Sequence, residues 1–223
     1  MTKTINRARE VAMLFVCCWL LFSSAHVLAS SNPYVSVEEL TAELKTKDID
    51  RILKALNTVK QMTYQGEILP FIRDLWDSRK EKYPELPWDT INTDIVKVDI
   101  ANILLQAAAN GKTKIDKEKV HQFVAGLISS SDVDVARNAI LTLSLIDDAK
   151  DVGGILAIAK QKKKGTFKAS VIALSKMCSP EATLALDQLE VSISDAEYKS
   201  YITETKREAQ SFKERTRWCE QKI

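Results

Sequence analysis

The stretch that decides the fold is "SSSDVDVARNAILTLSLIDDA", residues 129–149. It opens with small and acidic residues, which favour a helix N-terminus, and continues as a run in which apolar residues recur at spacings of three and four. Asp134 lies where a helix start favours negative charge, and Arg137 follows three positions later. The stretch therefore predicts a helix from Asp132 to Ile146 that is buried over much of its surface.

A related pattern occurs at three other places in the chain. Aligning "VARNAILTLS" (135–144) with "TFKASVIALS" (166–175) places Arg137 over Lys168. Shifts of 40 and then 46 residues towards the N-terminus reach "DIVKVDIANILL" (94–105) and "DIDRILKAL" (48–56), where Lys97 and Arg51 take the basic position. Three of these units start with Asp, an apolar residue, any residue and a basic residue. Repetition at this period indicates stacked helix pairs.

Helical spacing extends over most of the chain, and breaks such as Asn110-Gly111 and Ser179-Pro180 carry the residues expected at helix ends and starts. The pattern predicts a series of paired helices and two closing helices. Their predicted bounds are Glu38–Lys45, Asp48–Met62, Gly66–Arg79, Asn92–Ala109, Asp116–Ser129, Asp132–Ile146, Asp151–Lys162, Thr166–Cys178, Pro180–Leu189 and Asp195–Gln221.

On these residues the chain resembles HEAT-repeat proteins of the armadillo-like superhelix class. In that family the second helix of a pair typically starts with Asp and an apolar residue, with an Arg nearby. Asp134-Val135-x-Arg137-x-Ala139 is the closest match here, with the Arg one place later than usual and Lys in its place in two other units. The resemblance covers about residues 36–190. It implies an all-α fold, a right-handed α-α superhelix of about four to five HEAT-like helix pairs.

The first 29 residues read as a secretory leader. Lys3, Arg7 and Arg9 precede a run of 12 apolar residues from Val11 to Phe22, and Val27-Leu28-Ala29 gives small residues at the positions that signal peptidase reads. We expect cleavage after Ala29; an uncleaved anchor is the alternative, although the run is shorter than the roughly 20 residues that span a bilayer. We therefore divide the chain into a signal peptide (1–29), a HEAT-like array (30–190) with an insertion at 78–92, and a C-terminal capping helix (191–223).

Cleavage at that point leaves 194 residues with no net charge. The leader holds three of the 32 Lys and Arg residues and one of the 30 Asp and Glu residues, which leaves 29 of each sign. A nucleic-acid partner is not expected, because such proteins usually carry a basic excess. Cys178 and Cys219 remain after cleavage; in an exported protein they form a disulfide or stay as two half-buried thiols.

The repeated basic residues Arg51, Lys97, Arg137 and Lys168 are interpreted as structural, with Arg137 reaching an Asp in its own or the next unit to form a ladder. Ser194 and Glu197 have the spacing of a capping box for the last helix. One stripe of that helix runs through Tyr198, Ile202, Thr205, Ala209, Phe212, Thr216 and Cys219. It predicts either a cap on the array or a coiled-coil seam for a partner.

Few residues have the pattern of catalytic or metal-binding chemistry. His121 is the one histidine after the leader and is expected to be structural. Nothing has metal-ligand spacing, and there is no GxSxG elbow or phosphate-binding loop. We therefore expect no cofactor and no catalytic residue.

Two segments are candidate partner-binding surfaces. In the insertion "SRKEKYPELPWDTIN" (78–92), Tyr83 and Trp88 would serve as interface anchors if exposed; the alternative is that both fold back over neighbouring helix ends. In "AKQKKKGTFK" (159–168), Lys162, Lys163 and Lys164 form a basic turn that would contact an anionic surface or an acidic partner, or else is only solvated.

The sequence therefore predicts an exported, non-catalytic scaffold or adaptor for an unidentified protein. We expect no transmembrane segment after cleavage, and the leader predicts a location in a bacterial periplasm. Two alternatives remain open. One is a lyase-type HEAT-like enzyme, since the resemblance includes bilin lyases as well as DNA glycosylases; the other is a structural protein of the envelope surface.

Overall fold

The computed structural model describes residues 36–61, 68–216 and 219, and these residues form eleven α-helices and one 3₁₀ turn, with no strand among them. The fold is therefore all-α. The leader predicted for residues 1–29 lies outside the described residues. In chain order the helices are α1 (Val37–Leu44), α2 (Ile49–Gln61), α3 (Ile68–Trp76), α4 (Trp88–Ile91), α5 (Asp94–Ala109), α6 (Lys117–Ala125), α7 (Val133–Ile146), α8 (Val152–Lys160), α9 (Lys164–Lys176), α10 (Pro180–Ser192) and α11 (Ala196–Thr216).

All ten helices expected from the sequence are confirmed, and the short α4 inside the insertion was not expected. The predicted ends at Met62, Gly66 and Gln221 lie outside the described residues, and the others differ from the observed ends by a few residues. Several starts are set by side-chain caps. Asp132 caps α7 by accepting the N–H groups of Asp134 and Val135, and Ser179 caps α10 by accepting the N–H of Ala182.

The predicted capping box at Ser194 is wrong by one residue. Asp195 is the residue whose side chain accepts the N–H groups of Glu197 and Tyr198, at 2.9 and 3.1 Å. A carboxylate in that place also interacts favourably with the helix dipole, which explains why the helix starts after Asp195. A true capping box joins Ser36 and Glu39 at the start of α1.

Four of the helices pack in a row. The second helices α2, α5, α7 and α9 contact one another in that order, and these are the four segments that share the repeated sequence pattern. Their partners α1, α3, α6 and α8 pack beside them as first helices. Next, α10 contacts α8 and α9, while α11 contacts α9 and α10.

Small residues allow the second helices to approach closely. Ala139, Ala169 and Ala173 are each at most 3 % exposed and lie in the core between α7, α9 and their neighbours. Phe167, fully buried at the start of α9, packs against the ring of Tyr198 on α11 with centroids 4.4 Å apart. The core therefore continues from α7 and α9 into α11.

Candidate interaction surfaces

The insertion 78–92 folds inwards. Trp88 is 7 % exposed, and its Nε1 donates a hydrogen bond of 2.8 Å to the carbonyl of Tyr83. The half-buried Tyr83 packs edge-on against Phe71, with ring centroids 5.0 Å apart, and its hydroxyl donates to Asp74. The structure therefore agrees with the second interpretation of this segment, in which both aromatic side chains fold back over a neighbouring helix. Trp88 is therefore not an exposed anchor.

The lysine turn, defined here as residues 162–164, is exposed throughout. It joins α8 to α9, and Lys163 occupies the N-cap position of α9. The carbonyl of Lys162 accepts a long hydrogen bond of 3.4 Å from the hydroxyl of Tyr198. The turn is thus fixed beside a helix N-terminus with its ammonium groups in solvent, and its role in binding stays a prediction.

The four basic residues of the repeat pattern all contact groups within the chain, but they do not form the predicted ladder. Arg51 makes two hydrogen bonds of 3.1 Å to Glu43 on the first helix of its own pair. Arg137 pairs with Asp134 on its own helix at 3.0 Å. The ammonium of Lys168 lies 5.1 Å from the ring centre of Tyr201 on α11.

Lys97, the fourth, is buried. Its Nζ donates to the carbonyls of Leu75 and Trp76 and to Ser78 Oγ, at 2.7, 2.8 and 2.9 Å. Its ammonium therefore binds carbonyl groups at the C-terminus of α3, where the Leu75 carbonyl also accepts the N–H of Ser78. Burial lowers the pKa of the Lys97 ammonium to about 8.

A polar ladder does cross the second helices, at positions that the sequence analysis did not single out. Lys60 on α2 contacts the buried Asp99 on α5 at 2.7 Å, and Asn138 on α7 donates to the same carboxylate oxygen at 3.4 Å. Asn102 on α5 donates to Thr142 on α7 at 3.1 Å. Asp99 stands alone as an acidic residue in the apolar run 98–105, which is the one signal that could have revealed the ladder.

His121 is 15 % exposed, and its Nε2 lies 2.9 Å from Asp151 Oδ1, so the pair links α6 to the start of α8. In the part of the chain that the structure describes, no group of three His, Cys, Asp or Glu side chains is close enough to hold a metal ion. Nor does any helix there have the length and apolar content needed to cross a membrane.

Cys178 and Cys219 are joined by a disulfide, with Cα atoms 5.5 Å apart. The bond connects the chain just after α9 to the chain just after α11. Close by, Lys213 on α11 donates to the carbonyl of Met177 at 2.5 Å, and Asp147 accepts the N–H of Cys178 at 2.8 Å. The C-terminal ends of α7, α9 and α11 are therefore held together by covalent and polar contacts.

Each middle second helix keeps only a narrow strip of side chains in contact with solvent, because it packs on three sides. We call these strips together the second-helix face. It begins with polar side chains on α5, carries an exposed arginine and two leucines on α7, and ends on α9 with an apolar residue between two exposed lysines. Its members are Asn102, Gln106, Arg137, Leu141, Leu145, Lys168, Ile172 and Lys176.

An open groove continues this face between α9 and α11. It has a volume of about 330 Å³, and its lining presents more apolar than polar surface. Ile172 and Ala209 form part of its floor, Phe212 stands 42 % exposed at its edge, and Lys176 and Glu208 lie at its rim. We call it the α9–α11 groove. An exposed aromatic ring beside an apolar depression is typical of protein-binding sites.

Comparison with known proteins gives no relative: no family model, curated protein or solved structure matches the chain.

Proposed function

We propose that the protein is an exported, non-catalytic scaffold with a HEAT-like superhelix, and that it binds a partner polypeptide in the α9–α11 groove. The observation that carries the proposal is the packing of successive second helices against one another, which supports a shared face made of their solvent-exposed strips. Arrays of this kind use such extended faces for binding. Export rests on the leader read from the sequence.

The groove is favoured over the insertion and the lysine turn because it offers apolar area. Phe212 keeps 42 % of its surface exposed, whereas Trp88 keeps 7 %. Aromatic side chains at the centre of an interface contribute a large share of the binding energy. Phe212 on α11 and Ile172 on α9 line the same groove, so a partner side chain inserted there would be covered from two helices.

The charges beside the groove indicate the kind of partner. Lys168 and Lys176 are exposed on α9, on either side of Ile172. They are eight positions apart along the helix, which corresponds to about 12 Å. The matching partner is an amphipathic helix with one apolar residue and two acidic residues. One acidic residue lies four positions before the apolar residue and the other lies four positions after it. We therefore propose such a helical segment of another protein as the occupant.

Selection from a random peptide library against the protein, exported and processed by a bacterial host, tests this proposal. We expect enriched peptides with an apolar residue flanked by acidic residues. Replacing Phe212 by Ala should weaken their binding at least tenfold, about 1.4 kcal/mol, as measured by fluorescence anisotropy.

Leu184→Ala is the matched control, since Leu184 is a 60 % exposed apolar residue on α10 and lies outside the groove lining. It should bind the peptides as the parent does. A selection without enrichment, or equal losses in the two variants, would overturn the proposed site.

A further inference from the structure

The second half of α11, residues 203–214, has no buried side chain. The first half is anchored in the core. Ile202 is fully buried, and the ring of Tyr198 packs against Phe167 with centroids 4.4 Å apart. A helix segment without buried side chains gains little stability from packing, so other contacts must hold it in place. We call residues 203–214 the distal segment of α11.

Open space borders the distal segment on two sides. The α9–α11 groove lies along one side. On the other side, a second cavity of about 330 Å³ lies between α11 and the pair α9 and α10, with Leu174 and Leu186 in its lining. Ala209 and Lys213 line both spaces. The distal segment therefore rests on its neighbours along a narrow strip.

Two lysines of the distal segment make polar contacts with the helices beside it. The Nζ of Lys206 lies 2.6 Å from both Asp187 Oδ1 and Glu190 Oε2, and all three side chains are partly exposed. Lys213 donates to the carbonyl of Met177 at 2.5 Å. Ion pairs in contact with water contribute little to stability. These contacts orient the segment, but they are weak in comparison with a covalent bond.

The disulfide between Cys178 and Cys219 supplies the strong link. It joins the chain after α9 to the chain after α11, so it fixes the far end of a segment whose near end is fixed by Ile202. Both cysteine residues are partly exposed, so the bond is open to attack by a thiolate. The N–H of Cys178 also bonds to Asp147, and this contact keeps Cys178 in place when the disulfide is broken. Breaking the bond therefore frees Cys219 and the distal segment.

We propose that this disulfide is a redox switch that controls the α9–α11 groove, an inference that rests on the proposed function. Ala209 and Phe212, which α11 contributes to the groove, belong to the segment that reduction frees. Ile172 and Lys176 stay on α9. The oxidised protein keeps both walls of the groove and binds the partner helix. The reduced protein loses the α11 wall and releases the partner.

The reaction is thiol–disulfide exchange with a dithiol, such as an exported dithiol reductase. A thiolate of the reductant attacks one sulfur of the disulfide, the S–S bond breaks, and the other cysteine leaves as a thiolate. The second thiolate of the reductant then attacks the mixed disulfide and releases the remaining cysteine. The two cysteine thiolates take up the two protons that the dithiol has lost. Two electrons thus pass to the chain, and the reductant is left as a disulfide.

Hydrogen exchange of the exported protein with and without dithiothreitol tests the switch directly. On reduction, we expect exchange in residues 203–214 to rise about tenfold or more relative to residues 196–202. Cys178→Ser/Cys219→Ser should resemble the reduced parent and should not respond to dithiothreitol. Unchanged exchange in the distal segment would overturn the proposal. An equal rise in residues 196–202 would also overturn it, because the whole helix would then be released.

Fluorescence anisotropy with the tightest selected peptide measures the effect on the groove. Reduction should weaken peptide binding about tenfold, because the contribution of Phe212 is lost, and reoxidation should restore it. Protein whose reduced thiols are blocked with iodoacetamide is the matched control, and it should stay weak after the oxidant is added.

The two measurements separate failure of the switch from failure of the proposed function. Equal affinity of the oxidised and the reduced protein for the peptide would overturn the switch and leave the proposed function intact. Absence of any selected peptide for the oxidised protein would refute the proposed function and, with it, control of its groove. Hydrogen exchange would then still decide whether the disulfide holds the distal segment.

Discussion

At the scale of single residues, the basic residue of the repeated sequence pattern has a different environment in each of the four second helices. The basic residue near the start of each second helix pairs with a first-helix carboxylate at Arg51, with its own helix at Arg137, and with an aromatic ring at Lys168. At Lys97 it is buried and caps a helix C-terminus. The insertion after α3 explains the difference, because it ends that helix where Lys97 can reach the last carbonyls.

Lys97 should make stability depend on pH. Its pKa is about 8 in the folded chain, against an ordinary 10.5, so the unfolded chain binds more protons between these values. The free energy of unfolding should therefore rise with pH in that range. Relative to Lys97→Met, the parent should gain about 1–2 kcal/mol between pH 7.5 and 9.5, measured by urea unfolding.

Lys168→Met is the matched control, because Lys168 takes the same repeat position but is exposed. Its unfolding free energy should follow the pH dependence of the parent. If the free energies of unfolding of the parent and of Lys97→Met change with pH in the same way across this range, the buried ammonium does not have the lowered pKa.

The helices themselves were the most predictable part of the structure, because apolar spacing and cap residues are local signals. The second helices were recognisable as a group from their shared pattern. The burial of Trp88 could not be predicted from the sequence, because prolines and aromatic residues occur in exposed loops as well as in packed ones. The α9–α11 groove joins residues about 40 positions apart, such as Ile172 and Phe212, and no local pattern connects them.

At the scale of elements, the contact between α2 and α5 depends on an ion pair. Asp99 is 5 % exposed, and Lys60 is its nearest cation. Lys60→Met should destabilise the protein by about 2–4 kcal/mol, because it leaves a carboxylate buried without its counter-charge. In urea unfolding, the double variant Lys60→Met/Asp99→Asn should recover part of that loss.

Lys54→Met, on the exposed side of the same helix, should cost little and serves as control. If the effects of Lys60→Met and Asp99→Asn on the free energy of unfolding simply add in the double variant, Lys60 and Asp99 are not coupled.

The disulfide should act mainly on α11. It closes a loop of 41 positions, for which chain entropy gives about 3–4 kcal/mol. Cys178→Ser/Cys219→Ser should lose stability of this order, and hydrogen exchange should rise more in α11 than in α7. Reductant should lower the unfolding midpoint of the parent and leave that of the double variant unchanged. A parent that is insensitive to reductant would contradict this role.

At the scale of the whole molecule, the last two helices pack directly on the helices before them: α10 contacts α8 and α9, and α11 contacts α9 and α10. The core therefore continues to Ile202, which is fully buried on α11. The outer part of α11 is left to border a groove. The C-terminal helix α11 is thus held to its neighbour by a disulfide and also borders an open groove. Both features suit a binding role in the proposed scaffold.

The most direct test of that scaffold is hydrogen exchange of the exported protein with and without its tightest selected peptide. We predict slower exchange on binding in residues 168–176 and 205–213, the two walls of the α9–α11 groove, and no change in the insertion 78–92. Protection confined to other segments, or no protection at a saturating peptide concentration, would contradict the proposed function.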